Sequence, residues 1–182
     1  MKGLIFTELM DFMEHKAGAE FAEDVLDAAD LPNGGAFTAI GTYPAAYALN
    51  MVAIASDKSG IPAAELSAEY GEWLFHRFTV LYPDIIDRYP TAEIMLDHVG
   101  SHIHEEVVIL YPDAKPPHIS MQREDGHLVV NYSSHRPMAH VAFGLVKGCL
   151  AHYRDSRIVE WLTQADPTSA SFRITDMGWA AA

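Results

Sequence analysis

A chain of 182 residues, 49% hydrophobic and 20% charged, with no homopolymer tract or internal repeat, reads as one ordered domain large enough to enclose a cofactor. Its formal net charge of -13 excludes a nucleic-acid surface, because phosphate binders need clustered Lys and Arg. The single Cys149 excludes an intrachain disulfide framework and a Cys-rich zinc site, which fits a cytoplasmic protein. Glu8 and Asp11 interrupt the opening MKGLIFTELMDF, and no other stretch suits a signal peptide or membrane insertion.

In chain order, Ile5, Leu9, Phe12 and Met13 form a helical stripe, and EFAEDVLDAAD continues it before the turn LPNGG. Residues 44 to 57 suit a further helix. IPAAELSAEYGEWLFHRFTVLYP opens on a proline suited to a first helical turn and repeats Leu66, Tyr70, Trp73, Leu74, Phe78 and Leu81 at helical spacing. A helix from about Ala92 to Ile109 stops at YPDAKPP. HISMQRE and HLVVNYS, separated by Asp-Gly, predict a β-hairpin. RPMAHVAFGLVKGCLAHY predicts a helix, and ASFRIT a short closing strand. The expected class is α+β: a helical N-terminal part, then a small antiparallel sheet with an inserted helix. The expected organisation is one domain over 1–182, with a helical subdomain over about 1–62 and a second over about 63–182.

Three of the ten histidines lie within seven residues of HVGSHIHEEVVILYP. At about 100° per helical residue, His98 and His102 share a face while His104 points away from it. A zinc pair at His98 and His102 lacks the Glu of an HExxH motif, and a pair of surface histidines is the preferred explanation. A metal-dependent enzyme using His98, His102 and Glu105 or Glu106 is one reading, weakened because the ligands do not converge on one face.

NYSSHRP places Tyr132, Ser134 and Arg136 at i, i+2, i+4, which an extended segment projects to one side. Two hydroxyls beside a guanidinium fork make a carboxylate receptor, although a polar strand end would look the same.

The motif YxSxR, preceded by a helical histidine, a YP turn and a PP loop, resembles the H-NOX (haem nitric oxide/oxygen binding) domain, also found in soluble guanylate cyclase. The opening MKGLIF is similar to the family's N-terminus, and the likeness runs over nearly the whole chain. It implies haem b, buried between the two parts of the fold, with His104 as proximal ligand, seven residues before Tyr111. It puts the propionates on Tyr132, Ser134 and Arg136, and the proline that distorts the haem at Pro117. The distal wall falls on Ile5, Leu9, Leu74, Phe78, Val141 and Leu145. Val141 stands where oxygen-binding members carry a tyrosine, so nitric oxide and carbon monoxide are the expected ligands and dioxygen is not. His76 and His140 are the other candidates for a sixth iron ligand.

The resemblance further implies a non-enzymatic gas sensor in which nitric oxide breaks the bond between iron and His104 and moves its helix. With no room for an output domain, its signal is expected to pass to a separate sensor histidine kinase or cyclic-di-GMP enzyme. The four zinc-binding cysteines of some members are not matched. A haem-free interaction domain of the same fold is the third reading.

Overall fold

The computed structural model describes residues 1–176. The chain divides into two compact units, Met1–Tyr70 and Gly71 onward, within the helix that the sequence expectation starts near 63.

The N-terminal unit contains α1 (Gly3–Ala17), α2 (Ala19–Ala29), α3 (Ala45–Ser59) and the opening of α4 (Ala63–Leu81). Leu9, Phe12 and Met13 of the predicted stripe are buried with Val25, Met51 and Leu66. Buried Tyr70 donates its hydroxyl to the Ile5 carbonyl at 2.6 Å, tying α4 to α1 without leaving a polar group unpaired. Phe6 stacks on Phe37 at 4.7 Å and meets Tyr43 edge-on at 5.4 Å, closing the loop after α2 onto α1.

The C-terminal unit starts with the rest of α4. It continues through α5 (Pro83–Ile86), α6 (Ala92–His98), a π-helical turn (Val99–Ile103) and α7 (His104–Leu110). Thr91 caps α6 by accepting the Ile94 amide. The strands β1 (His118–Glu124), β2 (His127–Ser133), β3 (Ile158–Asp166) and β4 (Ser169–Thr175) form an antiparallel sheet in the order β1-β2-β4-β3. Between β2 and β3, α8 (Ala139–His152) packs against the sheet. The α+β class is as expected.

The Asp-Gly hairpin forms as predicted. Asp125 and Gly126 both take positive φ, at 47° and 84°, which matches the twist of paired strands, and Glu124 sits opposite His127. Leu128, Val130 and Tyr132 of β2 alternate into the core and meet Phe172 and Ile174 of β4. Fully buried side chains such as Phe172 and Ile174 contribute about 1.5–3 kcal/mol each.

Three elements differ from the sequence expectation. The helix over 92–109 is broken by the π turn, α5 was not foreseen, and neither was β3. Ile158 and Leu162 of β3 stay partly exposed, so apolar residues on both faces blur the strand's alternation.

Candidate haem site

The π turn leads directly into His104. It is held from one side by Gly100, where a Cβ would stand 2.1 Å from the Ile119 carbonyl oxygen, so only glycine lets the turn lie on the start of β1. The rings of His98 and His102 lie 4.7 Å apart, the shared face that helical spacing predicts. Among the described residues no group of three or more His, Cys, Asp or Glu could hold a metal ion, and Glu106 instead pairs with Arg88 at 2.6 Å. That weighs against the metal-enzyme reading.

His104 is half-buried, and its Nδ1 is fully buried without a hydrogen-bond partner. Burial holds the imidazole below its usual range, opposed by the main chain of Pro117. Proline has no N–H, so the opposing group is its carbonyl, which favours a protonated ring nitrogen. A neutral imidazole with an unused nitrogen is a metal-ligand form.

Tyr132 is buried at the end of β2, and burial pushes its phenol above the usual range. The strand stops at Ser133, so Ser134 and Arg136 do not continue the extended i, i+2, i+4 projection read from the sequence. A tight turn groups them instead. The Arg136 amide donates to Ser134 Oγ at 3.1 Å, and the Tyr132 hydroxyl donates to the Arg136 carbonyl at 3.2 Å.

The Arg136 guanidinium reaches across to the loop before β1, where Nη1 donates to the Lys115 carbonyl at 2.9 Å. It has no carboxylate partner among the described residues, and partial burial lowers its pKa. Exposed His135 is likewise held below its usual range, first by Arg136 and also by desolvation and Lys115. In a chain of net charge -13, this is a local cationic field.

His104, Pro117, Lys115, Arg136, Ser134 and Tyr132 thus converge on the loop that follows α7. These groups suit haem: one unpartnered neutral imidazole for iron, and an uncompensated guanidinium with two hydroxyls for carboxylates.

A family model described as Haem-NO-binding matches residues 2–160. The chain belongs to the Haem-NO-binding, or H-NOX, family. Domains of this family bind haem, sense gas and signal to partners, and are not themselves enzymes. The chain is similar to the H-NOX protein from K. algicida, solved in its unliganded Fe(II) state. The two are 29% identical, over 99% of this chain and 100% of that one, with a TM-score of 0.86. Against the IWP-051-bound H-NOX from Shewanella woodyi, solved in the Fe(II)CO state, identity is 31% over 100% and 97% of the chains, with a TM-score of 0.81. The S. oneidensis H-NOX in the Fe(II)NO state, 21% identical over 96% and 98%, shares the fold with a TM-score of 0.85. No curated protein matches the chain.

The remaining H-NOX site expectations fall on two helices of this unit and one of the other. Leu74 is buried and Phe78 half-buried on α4, and Val141 is buried and Leu145 half-buried on α8. These helices cross closely: a Cβ on Gly71 would meet the Val141 carbonyl oxygen at 2.2 Å, and one on Gly148 would meet Phe75 Cβ at 2.7 Å. Ile5 and Leu9 belong to the N-terminal unit, where Leu9 lines an apolar cavity of about 120 Å³ with Phe12, Met13 and Phe21. His140 is turned toward the sheet, its Nε2 2.8 Å from Gln164 Nε2 and its ring 4.9 Å from Trp161. His76 is exposed.

Sequence reasoning missed Lys115 and Gly100. Lys115 acts through its main chain, which no side-chain pattern reports. Gly100 did leave a signal, since an isolated glycine inside a helical pattern usually marks a close packing contact.

Proposed function

We propose that this H-NOX chain is a single-domain sensor that binds haem b, takes nitric oxide and carbon monoxide in preference to dioxygen, and signals from the cytoplasm to a separate partner. The convergence on the 111–117 loop carries this reading: the His104 ring beside the Pro117 carbonyl, and Arg136 anchored on the Lys115 carbonyl.

In this reading the His104 imidazole would hold the iron, and its lowered pKa keeps the ring neutral and ready to coordinate at pH 7. Arg136, Tyr132 and Ser134 would receive the propionates, and Pro117 would pack against the cofactor. Haem, when bound, supplies the ferrous centre at which a diatomic gas is held. The side chains assigned to the distal wall, Ile5, Leu9, Leu74, Phe78, Val141 and Leu145, are all apolar and offer no donor to a partly anionic dioxygen. His104 is also the output. It opens a seven-residue helix entered through the π turn and tied to its neighbours by the exposed Arg88–Glu106 pair, so displacement of its ring is passed to α7. A sensor histidine kinase or a cyclic-di-GMP enzyme would read that displacement.

The absorption spectrum of the dithionite-reduced protein, before and after nitric oxide, tests the proposal. A Soret band that shifts with nitric oxide supports it. A colourless protein that takes up no added haemin overturns it.

A further inference from the structure

We propose that His98 and His102 form a second metal site, a solvent-facing pair of imidazoles for one borderline divalent transition-metal ion of the zinc class. The separation of the two rings is compatible with chelation of one ion. With a zinc–nitrogen bond of about 2.0–2.1 Å and about 1.1 Å from nitrogen to ring centre, two imidazoles on one ion have centroids roughly 4.5 Å apart at a right angle and roughly 5.2 Å apart at the tetrahedral angle. The observed 4.7 Å, with ring planes 36° apart, falls between these limits.

The tautomers also suit a metal. The His98 Nδ1 lies 2.7 Å from the Ile94 carbonyl, which can only accept, so Nδ1 carries the proton and Nε2 the lone pair. The His102 Nδ1 lies 3.1 Å from Ser101 Oγ, a hydroxyl that can accept as well as donate, so the tautomer with the proton on Nδ1 and the lone pair on Nε2 is open to this ring too. Neither Nε2 has a protein partner among the described residues. The Tyr89 ring lies 5.4 Å from that of His98 and limits its swing. Among the described residues the pair gains no third protein ligand, so water would complete the coordination, and a hard cation such as Mg²⁺, which demands oxygen ligands, should not bind. His98 ends α6 and His102 lies in the π turn two residues before His104, so an ion held by both pins the turn that leads into α7. The site stands independently of the haem reading.

Zn²⁺ titrated calorimetrically into the tag-free, full-length protein tests it, with or without haem. One equivalent should bind, His98→Ala and His102→Ala should each weaken it by roughly tenfold or more, and His76→Ala and added Mg²⁺ should leave it unchanged. In the unsubstituted protein, the ring-proton NMR signals of His98 and His102 should move together and stop at that equivalence. Absence of a saturable one-equivalent event overturns the site. So does binding that survives both substitutions, or shifts confined to other histidines.

Discussion

Gly100 and Ile119 meet main chain to main chain: a Cβ on Gly100 would stand 2.1 Å from the Ile119 carbonyl oxygen. The contact joins the π turn before His104 to the strand that begins just after Pro117. It therefore fixes the relation between the two residues assigned to the proximal side of the haem.

Gly100→Ala should force either the turn or the start of β1 to shift, at an overpacking cost of about 1–3 kcal/mol. Urea unfolding should show that loss, and the iron–histidine stretching band of the ferrous protein should move. Ser101→Ala, at an exposed neighbour, should do neither. An unmoved band in Gly100→Ala would mean the contact does not position His104.

Arg136→Leu should speed haem transfer to a scavenging globin by roughly tenfold or more, because the propionates lose their cation in an acidic chain. Arg136→Lys should restore part of this loss. A single ammonium cannot hold the Lys115 carbonyl and a carboxylate with one planar fork. Equal transfer rates for all three proteins would remove Arg136 from the site.

In air the ferrous protein should form no stable dioxygen complex, whereas Val141→Tyr, which adds a phenolic donor, should gain one. The Val141 main chain lies in the tight α4–α8 crossing, so the larger side chain should also cost about 1–3 kcal/mol in unfolding. A stable oxy spectrum of the unsubstituted protein would contradict the apolar-wall assignment.

Asp155 is held below its usual 3.8 chiefly by the Arg157 side chain, against the effect of burial. Arg157 also reaches Glu93 at the start of α6. Because the native pKa is depressed, the unfolded chain takes up the proton first as pH falls. The pair's stabilisation is therefore complete above 3.8 and is lost as pH falls through the native value. Asp155→Asn should cost about 1 kcal/mol near neutral pH. The gap should close in strong acid, and a pH-independent gap in urea unfolding would contradict this account.

The hairpin and α8 were legible because Asp125-Gly126 and the Met138–Cys149 spacing are local signals. The grouping of Tyr132, Ser134 and Arg136 was legible as a set, but its cause was not the strand alternation inferred from the sequence. The turn is made by Ser134 Oγ and by the Lys115 carbonyl, whose position depends on tertiary packing. The π turn was hidden for a related reason. Its spacing differs little from an α-helix over five residues, and its stabilising contact, Gly100 on Ile119, is remote in sequence.

Whether His104 holds the iron is decided by the ferrous absorption spectrum of His104→Gly with and without added imidazole. The variant should lose haem in buffer and regain it, with a spectrum like the unsubstituted protein's, when imidazole fills the vacated place. Undiminished haem binding with an unchanged ferrous spectrum in the absence of imidazole would contradict that assignment.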